Sequence, residues 1–132
     1  MNGANDAHNA AQAAKEINMA FINLTPHTVN LFNSQGEMVL TLPPSGNVAR
    51  VVENRRRLES DRFTRIYQGI PVDMVEFGEV TGLPEPQGED IFIVSAMVAR
   101  AAYLRSDVVS PGPAVRDEQG NIIGARGLTR HA

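Results

Sequence analysis

The sequence contains no cysteine, no tryptophan and a single lysine, Lys15. Without cysteine there is no disulfide framework and no thiolate chemistry, which fits a reducing cytoplasm. No apolar run approaches the ~18 residues of a membrane-spanning helix. The start lacks the basic and apolar regions of a signal peptide. Positive charge is not in excess either. The formal net charge is −3, which argues against binding a nucleic-acid polymer.

What is present begins with 132 residues, enough for one domain with a real core and no staples. Eleven of the twelve basic residues are Arg. Arg presents a planar fork that matches phosphate two bonds at a time, although a GC-rich genome also produces such a bias. Charge is segregated along the chain. Residues 50–65 hold six Arg beside Glu53, Glu59 and Asp61, and residues 73–90 hold six acids and no base. The two segments are expected to meet, within one subunit or between subunits.

Residues 1–19 read as a polar, alanine-rich arm, loose or weakly helical, and residues 20–132 as one β-rich domain. The stretch FINLTPHTVNLF (21–32) reads as strand, corner, strand, because Pro26 has no N–H and a fixed φ. Asn33-Ser34-Gln35-Gly36 separates the apolar runs 28–32 and 37–42 as a hairpin turn. Leu42-Pro43-Pro44-Ser45-Gly46 forces a second corner. Residues 47–53 predict a strand, 54–61 a polar loop, 62–67 a short strand, and 72–80 its return after Gly69-Ile70-Pro71. A loop at 83–90 leads to a short buried strand at 91–94. Residues 95–104 predict a helix capped by Ser95 and apolar nearly all round, so buried on most sides. Arg105 near its end suits the helix dipole. A second hairpin follows, with Asp117-Glu118-Gln119-Gly120 between residues 114–116 and 121–127. The expected class is α+β and β-rich: a small antiparallel sheet or hairpin assembly with one buried helix in the C-terminal half.

The chemistry-bearing residues are sparse. His8, His27 and His131 show no helical ligand spacing and have no Cys partner for a zinc site. His27, at the corner, has no orienting carboxylate nearby in sequence and suits a turn or a ligand contact better than a base. Ser95 sits between strand and helix. There it caps the helix or, alternatively, helps hold a phosphate at the free N–H groups. No G-x-S-x-G elbow surrounds any serine. The acids of residues 76–90 have no reason to converge as a glycosidase pair. Arg116 and Arg126 lie on the two arms of the last hairpin, either converging on a ligand or exposed. Phe77, beside Gly78, belongs to the core or stacks on a base.

One set of motifs carries a resemblance. It comprises Ile22-Asn23-Leu24-Thr25-Pro26-His27, Leu42-Pro43-Pro44-Ser45-Gly46, Gly69-Ile70-Pro71-Val72, Phe77-Gly78-Glu79-Val80 and Gly82-Leu83-Pro84. It continues with Ile93-Val94-Ser95-Ala96, Val115-Arg116-Asp117, Gly120 and Ile122-Ile123-Gly124. In order and spacing the set resembles the first Thoeris anti-defence family of small phage proteins, over residues 20–128. The resemblance implies a non-enzymatic sponge without cofactor or metal, acting in the host bacterial cytoplasm. Such a sponge sequesters a cyclic ADP-ribose isomer made by host TIR-domain enzymes; some members also hold cyclic oligonucleotides. It implies pockets at subunit interfaces of a dimer-based homo-oligomer, up to a hexamer. It also implies ligand contacts from Arg116, Arg126 and Phe77; the corner itself places Asn23 and His27 as further ligand contacts at a pocket rim. Two rivals remain: a phage structural or assembly protein with no small ligand, and a nucleotide-processing enzyme using His27 with an acid.

Overall fold

The computed structural model describes residues 20–58 and 70–132. The arm at 1–19 and the strand expected at 62–67 lie outside the described residues. The protein is a β-rich α+β structure, with ten strands and one short helix among the described residues.

The first sheet holds β1 (Phe21–Asn23), β6 (Ile91–Ile93), β7 (Val108–Pro111) and β10 (Leu128–Thr129), in that order. β1, β6 and β7 run parallel, and β10 is antiparallel to β7. The second sheet is ordered β3 (Met38–Leu42), β2 (Val29–Phe32), β9 (Ile122–Arg126), β8 (Ala114–Arg116). Both hairpins expected from sequence are present in it, joined by a parallel β2–β9 pairing. The sheets are therefore mixed: the expected hairpins are present, and parallel pairings join them and the other strands, which the expected antiparallel sheet or hairpin assembly did not include. Parallel pairing joins strands distant in sequence, such as Phe21 with Ile91, which local turn signals do not reveal.

β6 explains how the layers stack. Phe92, Ile93 and Val94 are completely buried. Phe92 and Val94 pack into one cluster with Leu24, Val98, Ala99 and Val108, while Ile93 joins Val29, Leu31 and Ala125 in another. A central strand covered on both faces reads as a continuous apolar run, as IFIV does. One face of the first sheet thus meets the helix, and the other meets the second sheet.

The helix α1 (Ala96–Ala101) connects β6 to the parallel β7. Ser95 caps it, its hydroxyl accepting from the Val98 amide at 3.3 Å. It is shorter than expected and buried on one side only. Val98 and Ala99 are buried, whereas Met97 is 41 % and Leu104 84 % exposed. The helix ends at Ala101 with Ala102 as its cap, and Arg105 lies beyond it. Its guanidinium forks onto both Asp107 carboxylate oxygens at 2.8 Å and also donates to the Pro84 carbonyl at 2.9 Å.

The remaining two strands, β4 (Arg50–Arg57) and β5 (Asp73–Thr81), form a separate antiparallel ribbon. Residues 54–57, expected in a loop, continue β4. The acidic strand opposite compensates their charge: Arg57 meets Asp73 at 2.6 Å and Arg56 lies 3.9 Å from Glu76. The arginine-rich and acidic segments therefore meet within one subunit.

Candidate functional site

The corner at residues 25–28 carries the chain from the first sheet to the second, and Asn23 builds it. Asn23 is buried. Its amide nitrogen donates to the carbonyls of His27 at 2.8 Å and Leu42 at 2.9 Å. Its oxygen accepts from the Thr25 amide at 2.9 Å and the Thr25 hydroxyl at 2.7 Å. Every polar atom of Asn23 is thereby engaged, so its side chain supports the corner from beneath. Pro26 and His27 protrude above it, exposed.

A second crossing lies nearby. β7 ends at Pro111, and Gly112 and Pro113 deliver the chain to β8 in the second sheet. Gly112 has no room for a side chain, because a Cβ would collide with the Arg126 carbonyl, so the crossover hugs the end of β9. Between the two crossings opens a cleft of about 620 Å³. It is lined by residues 25–30, by Ser95-Ala96, and by Pro111, Gly112, Ala114 and residues 122–125. The cleft sits beyond the carboxyl ends of β1, β6 and β7, the position where open sheets with parallel strands tend to hold ligands. Its volume falls in the range of ~300–1,000 Å³ usual for small-molecule sites.

The chemistry of the lining is neutral. Apolar walls from Pro26, Val29, Ala96, Pro111 and the two isoleucines surround hydroxyls of Thr25, Thr28 and Ser95, the Asn30 amide and the His27 ring. Among the described residues lining the cleft, His27 is the one titratable group, and no Asp, Glu, Lys or Arg joins it. Among the described residues no group of three His, Cys, Asp or Glu side chains could hold a metal ion. No described helix is long and apolar enough to cross a membrane.

Of the residues singled out in the sequence, the structure brings His27 and Ser95 together on this cleft, with Asn23 directly below. The other three lie outside its lining. Arg116 folds over its own turn and donates to the Gly120 carbonyl at 2.8 Å. Arg126 is exposed at the end of β9, in register with Phe32. Phe77 stands on the ribbon, 44 % exposed, opposite Glu53. Sequence reasoning missed Asn30, Ile122, Ile123 and the Pro111-Gly112 wall. The available signal was the pair of proline corners, Thr25-Pro26-His27 and Pro111-Gly112-Pro113, each marking a sheet crossing. Comparison of the chain with protein-family models, with curated proteins and with solved structures gives no match.

Proposed function

We propose that this protein is a phage anti-defence sponge that binds a cyclic ADP-ribose isomer in the host cytoplasm and withholds it from TIR-based Thoeris immunity. The observation that carries this reading is the neutral, nucleotide-sized cleft beyond the carboxyl ends of the parallel strands. Its apolar walls suit a base or ribose face. The Thr28 and Ser95 hydroxyls and the Asn30 amide oxygen suit the polar edges of a nucleotide. Among the described residues no carboxylate joins His27 at the cleft to orient it as a base, which favours holding a ligand over converting it. Because the described lining supplies no Arg, the ligand's phosphates are met by arginines at the rim or from a second copy of the chain. Pockets of that kind enclose a small anion in a dry site where charge-assisted bonds are strong.

The test is thermal melting of the full chain with a cyclic ADP-ribose isomer. A ligand at a hundred times its dissociation constant adds about 2.7 kcal/mol of stability, and the melting temperature rises accordingly. Heat release and chromatography should then return the ligand intact; recovered product would make the protein an enzyme. The exposed apolar residues of the ribbon favour a second reading, an assembly protein without a small ligand. Absence of any melting shift at millimolar ligand would select it.

A further inference from the structure

The outward face of the second sheet carries an aromatic platform, the half-buried ring of Phe32. Val29, Leu31 and Ala125 face the core. The residues between them, Asn30, Phe32 and Gly124, therefore face away from it. Arg126 is the register partner of Phe32 on the parallel β9, so both side chains leave the same face. The Phe32 ring lies across Gly124: a Cβ there would come within 2.5 Å of its Cε2 and 3.0 Å of its Cδ2. The missing side chain thus lets the ring settle against the sheet. Met38, the register partner of Phe32 on β3 just past a bulge, is 54 % exposed. Arg126 is exposed and has no ion-pair partner among the described residues. Asn30 uses its amide N–H on the Ile123 carbonyl, at 3.3 Å, which leaves its oxygen available as an acceptor.

We propose that this platform is a nucleotide subsite: one base stacks on Phe32 against Met38, and Arg126 holds the attached phosphate. Aromatic rings on an open sheet face are how several β-sheet proteins receive bases, since every base has a π-face. The Arg fork supplies the complement for phosphate. One aromatic beside one cation fits a single nucleotide. A polymer would require repeated platforms and a basic surface, against a net charge of −3. Asn30 and Gly124 also line the cleft, so the platform adjoins it. The inference deepens the nucleotide-sponge reading and rests on it for the choice of ligand class. Packing an aromatic over a glycine also steadies a sheet by itself, and the test separates the two roles.

The full chain is titrated with AMP, adenosine and a cyclic ADP-ribose isomer while the adenine H2 and H8 resonances are followed. In the wild type they move upfield through the ring current of Phe32. Phe32→Leu keeps the apolar volume but removes that shift and weakens AMP about tenfold. Arg126→Gln, an exposed change that leaves the core intact, weakens AMP by about tenfold and leaves adenosine unchanged. AMP binding and shifts unaltered in both variants, or no AMP binding to the wild type, overturn the subsite. A single-stranded oligoadenylate binding far tighter than AMP overturns the single-nucleotide assignment in favour of a polymer. If AMP binds through Phe32 while the cyclic ADP-ribose isomer gives no melting shift, the subsite stands and the sponge reading falls. If the isomer binds equally to wild type and both variants, the sponge reading stands and the subsite falls.

Discussion

Asn23 and the Arg105–Asp107 pair show how much single side chains hold here. Replacing Asn23 by Ala removes the side-chain partner of the Leu42 carbonyl and the Thr25 amide at one buried point, while the Thr25 hydroxyl and the His27 carbonyl keep their mutual bond at 3.0 Å. Each unsatisfied buried group costs about 1–3 kcal/mol and neighbouring losses overlap, so Asn23→Ala should destabilise by about 2–4 kcal/mol. Urea denaturation measures this, and an unchanged midpoint would remove Asn23 from its supporting role. The second case titrates. The hydrogen bond from Arg105 holds the Asp107 carboxyl below the usual carboxylate range, and burial only partly opposes it. The side chains are 25 % and 16 % exposed, so solvent screens the pair only in part. A lowered folded-state pKa stabilises the fold above the ordinary carboxylate value, and that contribution is lost as pH falls through the folded value. Asp107→Asn should therefore cost on the order of 1–2 kcal/mol at neutral pH. It should also flatten the loss of stability below about pH 4. Melting curves across pH 2–7 for both proteins provide the comparison, and parallel acid limbs would contradict the assignment.

At the scale of elements, the two hairpins and the ribbon behave differently. The hairpin turns repeat one bonding pattern. The Oδ1 atoms of Asn33 and Asp117 each accept amides two and four residues ahead, at 2.9–3.0 Å. Gly36 and Gly120 close the two turns at φ +80° and +85°. This was legible in NSQG and DEQG because Asx side chains and glycine fix a turn locally. The ribbon was legible only in part. Its charges announced that the segments meet, yet the extent of β4 depends on a partner strand across the ladder. A two-stranded ribbon is marginal alone, and its exposed ion pairs add little. It also exposes Val52, Val75 and Phe77 at 56 %, 43 % and 44 %. If it forms the interface of a homo-oligomer, Phe77→Asp should convert that oligomer to a monomer in light scattering without lowering the monomer's melting temperature. A variant that stays oligomeric would place the interface elsewhere.

For the whole molecule, two mixed sheets share a core through β6, and the chain passes between them at the proline corners 25–28 and 111–113 and again at Gly127. The cleft exists because two of those crossings fall at the same end of the first sheet. The sequence by itself determined what depends on neighbours in the chain. Pro26 breaks a strand, glycine and Asx residues close hairpins, Ser95 caps a helix, and IFIV marks a strand buried on both faces. The tertiary structure alone decided what depends on residues far apart in the chain. Parallel pairing of β1 with β6 and β2 with β9 has no local signature, because loop closure and burial of two faces fix it together. For the same reason only folding placed His27 and Ser95 on one cleft, set Asn23 beneath it, and left Arg116 and Arg126 outside its lining. Composition supplied the arginines; register chose which side chains they stand beside.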